Sequence, residues 1–148
     1  MLTQLLVALG LMAVCVVIHA IGVTTALRRL RPRPEPTLLR DLCWLFIRLA
    51  GWMVLLHIGE IAIWGVFYVW RGAIGDLASG LYFSAVTYTT TGYGDLVLPV
   101  EWRLVGAVES LTGILMCGWS TGFFFAVVSR AFAGDPASSA RWSPPPPR

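Results

Sequence analysis

Three stretches of this chain, residues 2–27, 38–70 and 102–130, are each apolar over a length that can cross a bilayer as a helix. A helix rises about 1.5 Å per residue, so ~20 apolar residues span a hydrocarbon core of ~30 Å. A soluble fold of 148 residues has too small an interior for a composition that is 57% hydrophobic and 13% charged. Lipid solvates the outer face of a membrane protein, which removes that limit. The sequence therefore reads as an all-α membrane protein.

Charge sets its direction. All 11 basic residues are arginine. Arg28, Arg29, Arg31 and Arg33 follow the first run, Arg40 opens the second, and Arg130, Arg141 and Arg148 follow the third. Only Arg71 and Arg103 fall on the other side. Because positive loops stay in the cytoplasm, the N-terminus is expected outside and the C-terminus inside, in a cell inner (plasma) membrane. The basic cluster follows the first run and no positive region precedes it, so a transmembrane helix is expected there and not a signal peptide. This distribution suits a lipid surface and indicates no nucleic-acid partner. Pro32, Pro34 and Pro36 forbid helix in the connection that follows, and Thr37 is a candidate cap for the next helix. Trp64, Tyr68 and Trp70 read as an aromatic belt at that helix's outer end. Cys15, Cys43 and Cys117 lie in apolar runs with neither metal-site nor disulfide spacing, and are expected to be buried thiols.

Residues 77–90 are moderately apolar but too short to cross, and read as a re-entrant helix. Glycine and proline interrupt residues 91–101. At the junction stands Thr89-Thr90-Thr91-Gly92-Tyr93-Gly94-Asp95. Irregular backbone at membrane depth is tolerated only where it lines a hydrated path, because its carbonyls otherwise lose their water. Such carbonyls can replace the hydration shell of a desolvated cation. Glycines at alternate positions allow backbone angles that a Cβ would hinder, so that neighbouring carbonyls can share one axis.

This segment, with Pro99 shortly after it, resembles the selectivity filter of potassium channels. The order of elements over residues 38–130 resembles bacterial potassium channels of the two-helix pore-module type (ion channel family 2). The resemblance implies an outer helix, pore helix, filter and inner helix, assembled as a homotetramer that conducts K⁺ passively. It implies K⁺ ions bound at Thr90, Thr91, Gly92 and Tyr93, with Gly94 completing the filter, and no organic cofactor or catalysis. Asp95, Tyr82 and Phe83 would support the filter, and Gly113 and Phe125 would serve gating. The chain then divides into an N-terminal transmembrane helix (1–27), a basic proline-rich cytoplasmic linker (28–37), a pore domain (38–132) and a disordered cytoplasmic tail (133–148). The extra helix is expected on the rim of the tetramer or against an accessory partner whose identity is open.

Two positions depart from the family pattern. Thr91 replaces the usual valine or isoleucine, and Val86 replaces a glutamate that braces the filter aspartate in some relatives. Gly113 is expected to mark either a bend or a close contact, and Gly118 and Gly122 a close helix approach. The resemblance points Ile114, Cys117, Thr121 and Phe125 at a cavity. Phe123, Phe124 and Phe125 are either a hydrophobic constriction or lipid-facing. No helix carries an arginine ladder, so weak voltage dependence is expected.

Polar groups inside the crossings are functional candidates. By depth, Glu60, Glu109, His57 and His19 are expected to cluster behind the filter. His19 is expected to be locally satisfied, and Glu109 to bond the pore-helix end at Thr87, Tyr88, Thr89 or Thr90. Two other classes fit the composition: a non-conducting accessory subunit, and a potassium-uptake transporter. Transporters of that type carry several pore loops per chain, and this chain has one.

Overall fold

The computed structural model describes residues 2–29 and 39–133. Thr37, most of the linker and the tail lie outside the described residues. Four α-helices follow in order: α1 (Leu2–Arg29), α2 (Leu39–Trp70), α3 (Leu77–Tyr88) and α4 (Arg103–Ala133), with a 3₁₀ turn at Val100–Trp102 leading into α4. Helices α1, α2 and α4 have the length and apolarity to cross a membrane, and α3 does not. The chain is a multi-pass membrane protein of all-helical fold, and among the described residues there is no strand.

Each long helix buries one stripe at helical spacing. On α2 the stripe is Leu49, Met53, Glu60, Trp64, Phe67 and Tyr68. On α4 it is Val105, Glu109, Thr112, Met116, Phe123 and Val127. On α1 it is built of smaller groups, Ala8, Cys15, His19, Gly22 and Ala26, which lets that helix lie close to α4 and α2. Helix α1 thus packs on α2 and α4 of its own chain.

The aromatic belt is corrected by this stripe. Trp64 and Tyr68 are fully buried, four residues apart on the inward face of α2, and only Trp70 is exposed. Trp70 and Trp102 both lie beside the Arg71 guanidinium, 5.5 and 5.2 Å from it, which ties the ends of α2 and α4 together. The expectation for the cysteines holds for Cys15 alone; Cys43 and Cys117 are on the surface of the single chain.

Helix α3 starts where Asp76 Oδ1 accepts a bond from the Ser79 amide at 2.9 Å, an N-cap that bonds from Ser79 reinforce by holding the Asp76 carboxyl below the usual carboxylate range. It ends at Tyr88, two residues before the expected end, because Thr89 leaves helical geometry as the C-cap.

Candidate functional site: the loop after the short helix

The backbone of the Thr90–Gly94 stretch is held at its start by α3. The Thr90 amide donates to the Thr87 carbonyl at 3.0 Å. The amides of Thr91 and Gly92 both donate to the Val86 carbonyl, at 2.8 and 3.1 Å. Positive φ recurs at every second residue, 59° at Thr90, 53° at Gly92 and 78° at Gly94. Alternation of that kind turns successive carbonyls to one side, which two glycines permit freely and Thr90 adopts under constraint. Among the described residues, none of the carbonyls of Thr90, Thr91, Gly92, Tyr93 and Gly94 accepts a hydrogen bond. The side chains of these residues are exposed on the single chain, Tyr93 at 72%. The Thr91 and Thr89 hydroxyls bond each other at 2.9 Å.

Val86 offers no side-chain brace, and a different residue supplies one. Tyr82 donates its hydroxyl to Asp95 Oδ2 at 2.7 Å, across the loop. That bond, first among the causes, holds the Asp95 carboxyl below the usual range, and it raises the Tyr82 hydroxyl in turn. Stabilisation of a lowered carboxyl is complete above its ordinary value and is lost as pH falls through the lowered one. In Tyr82→Phe, Asp95 is expected to titrate at higher pH, back towards an ordinary aspartate. NMR of ¹³C-aspartate-labelled protein reads this directly, and an unmoved Asp95 would mean that the bond is not made. Phe83, its neighbour, is buried edge-on against Tyr68, at 5.3 Å between ring centroids.

The expected cluster of four polar groups resolves into two. Glu109 lies 2.7 Å from the Tyr68 hydroxyl and 2.5 Å from Ser84 Oγ, which also lies 2.8 Å from the Ile61 carbonyl. It therefore meets the middle of α3 and not its end. Ser110 occupies the expected place instead, donating to the Thr87 carbonyl at 3.1 Å.

Glu60 belongs with His19 and His57. Its Oε1 is 2.9 Å from His19 Nδ1, and its Oε2 accepts from Tyr88 and lies 3.6 Å from His57 Nδ1. His57 Nδ1 is 3.0 Å from the Tyr88 hydroxyl, and Ser120 Oγ is 3.1 Å from His57 Nε2 and 3.2 Å from His19 Nε2. His19 is thus bonded across helices, not locally as expected, because its position on the buried stripe of α1 faces α2 and α4.

On α4, Gly113 is a close contact within an unbroken helix: a Cβ there would overlap the Tyr88 carbonyl oxygen. Among the described residues, nothing lies within 4 Å of a Cβ added at Gly118 or Gly122. Ile114, Cys117, Thr121 and Phe125 share one exposed face. Phe123 is buried, and Phe124 packs on Phe46 with ring centroids 5.5 Å apart, which leaves Phe125 alone of the three on that face.

Of the residues that carry these networks, Ser84 and Ser120 were not singled out by sequence, whereas Tyr68 was read as a belt residue and Tyr88 as a partner of Glu109. The available signal was spacing: Glu60, Trp64 and Tyr68 share one face of α2, and Ser84 and Tyr88 one face of α3. No curated protein and no solved structure matches the chain. A family model described as an ion channel matches residues 42–130, from the first turns of α2 to near the end of α4. That match covers more than half of the sequence, and it spans the two crossings, the short helix and the loop of free carbonyls: the chain belongs to this ion-channel family.

Proposed function

We propose that the chain is the pore-forming subunit of a potassium-selective channel, in which four copies place Thr90, Thr91, Gly92, Tyr93 and Gly94 around one axis and K⁺ passes through passively. The observation that carries this reading is the recurrence of positive φ at Thr90, Gly92 and Gly94 along a strand whose carbonyls accept no bond within the chain. Dehydrated K⁺ needs a cage of oxygens, and backbone carbonyls turned to one side from several chains supply it. One such strand cannot surround an ion, so a cyclic assembly follows, with exposure of the strand on the single chain as its counterpart. The C-terminal end of α3 points its partial negative charge at the start of the strand, which favours a cation there. Asp95, Tyr82, Phe83 and Glu109 support the strand from outside, and Phe125 lies on the face available to narrow the inner path. The arginine distribution supports an external N-terminus and a cytoplasmic C-terminus in a cell membrane.

The test is purified protein in liposomes. K⁺ flux is expected to exceed Na⁺ flux by a wide margin, and the particle in detergent to have the mass of four chains. Gly92→Ala forces a Cβ into left-handed geometry at about 1–2 kcal/mol in each chain. Space is free around Gly92, so the effect is on the backbone alone, and selectivity is expected to collapse towards equality of K⁺ and Na⁺. Equal fluxes of the two ions in the unaltered protein, or K⁺ flux from monomers, would refute the proposal.

A further inference from the structure

Glu60, His19, Ser120, His57 and Tyr88 form a closed ring of five hydrogen-bond contacts, each side chain bonded to two others, with Glu60 Oε2 and His57 Nδ1 facing across it at 3.6 Å. The ring draws on α1, α2, α3 and α4, and the His19, Glu60 and Tyr88 side chains in it are fully or almost fully buried. Five hydrogen bonds need five hydrogens. Two neutral imidazoles, one phenol and one alcohol supply four, and a carboxylate supplies none. Whatever tautomers are chosen, the ring with an ionised Glu60 and neutral imidazoles leaves two lone pairs facing each other at one contact. One added proton completes all five. It also cancels the net negative charge that the ring would otherwise carry inside the membrane-spanning bundle, where an unpaired charge is costly. Ser120 Oγ has one further neighbour, Met53 Sδ at 3.6 Å, and a hydroxyl hydrogen turned there would raise the requirement.

We propose that this ring is a one-proton binding site that fastens α1 to the filter-side end of α3, and that release of the proton as pH rises lowers conduction. The conduction half rests on the channel reading above. The link to the pore is Tyr88: its hydroxyl closes the ring, its carbonyl lies against Gly113, and Val86 and Thr87 just before it hold the amides of Thr90, Thr91 and Gly92. The closed ring binds one more proton than the open one, so it is favoured at low pH and lost on raising pH. Among the described residues, Glu60 acts electrostatically on Cys15 of α1 and Cys117 of α4, and Glu109 of α4 also acts on Cys15. Among the described residues no arginine pairs with Glu60.

Two variants separate this from a merely structural cluster. In Glu60→Gln the amide donates the fifth hydrogen permanently, and the ring closes at every pH. In Ser120→Ala two contacts and one hydrogen go; three contacts remain, and the two neutral imidazoles and the phenol satisfy them with no added proton. Full-length protein in liposomes would be titrated between about pH 5 and about pH 9, the range in which imidazole-linked sites exchange protons. Proton release is expected to be one per chain greater in the unaltered protein than in either variant. K⁺ flux should fall about tenfold over that range, the worth of roughly one hydrogen bond, and should stay level in Glu60→Gln.

Equal proton release in the unaltered protein and Glu60→Gln would overturn the site. An extra proton released with K⁺ flux unchanged would overturn its coupling to the pore. Absence of K⁺ flux at every pH would remove the channel reading and with it the conduction half, while the proton count still decides the site. The ligand atoms of His19, His57 and Glu60 lie within 4.8 Å of one another, a set that could also serve a transition metal. One equivalent of Co²⁺ bound by the unaltered protein and lost in Glu60→Gln would overturn the proton site in favour of that chemistry.

Discussion

Gly113→Ala is expected to destabilise the folded chain by at least about 3 kcal/mol, the upper range for overpacking against a rigid neighbour. The new Cβ would fall on the Tyr88 carbonyl oxygen, and within 2.8 Å of its carbon and 3.1 Å of its Cδ1. Two of these are backbone atoms at the end of α3, which have no rotamer to escape into. Helix α4 must move away from α3, or Tyr88 must leave Glu60 and His57. Either movement disturbs the segment that anchors Thr90, Thr91 and Gly92. The reference is Gly118→Ala on the same helix, where nothing lies within 4 Å and alanine's higher helix propensity favours the change. Thermal unfolding in detergent, followed for both variants, measures the difference. Equal melting of the two would mean that α3 and α4 do not meet at Gly113.

Much of this architecture is legible in sequence because bilayer thickness fixes helix length. The three crossings, the short helix and the break between them follow from apolar runs and from glycine and proline, and each boundary falls within three residues of its expected place. The alternating backbone of the loop is legible because its glycines stand two apart, and positive φ is found at both. What sequence could not supply is rotation about each helix axis. Trp64 and Tyr68 look like interfacial anchors until the stripe they share with Glu60 is seen to face inward. His19 reads as locally satisfied until α1 is laid against α4. The resemblance marked the brace on Asp95 as absent at Val86, and Tyr82, one turn earlier on α3, reaches Asp95 instead. A polar side chain in an apolar helix announces that it has a partner; which partner depends on packing angles that local sequence does not encode.

Glu109→Ala is expected to cost about 3–5 kcal/mol, and Glu109→Gln no more than about 1 kcal/mol. The asymmetry comes from counting hydrogens. Three contacts make up this cluster, two of them to the carboxyl: Tyr68 hydroxyl to Oε2, Ser84 Oγ to Oε1, and Ser84 Oγ to the Ile61 carbonyl. Tyr68 and Ser84 own one hydrogen each, so a carboxylate leaves one contact without any. The acid form fills it: Glu109 donates to Ser84, Ser84 donates to Ile61, and Tyr68 donates to Glu109. Glutamine reproduces the pattern, its amide donating to Ser84 and its carbonyl accepting from Tyr68. Alanine leaves two hydroxyls facing a hole between α2, α3 and α4, where water would have to be drawn in or the helices collapse. Since Ser84 lies in the middle of α3, the damage should reach the loop at residues 90–94 as loss of support along the whole short helix. Unfolding midpoints of the two variants, with the K⁺ to Na⁺ flux ratio of each, check this. If glutamine proves as damaging as alanine, Glu109 acts there as an ion and not as an acid, and the count is wrong.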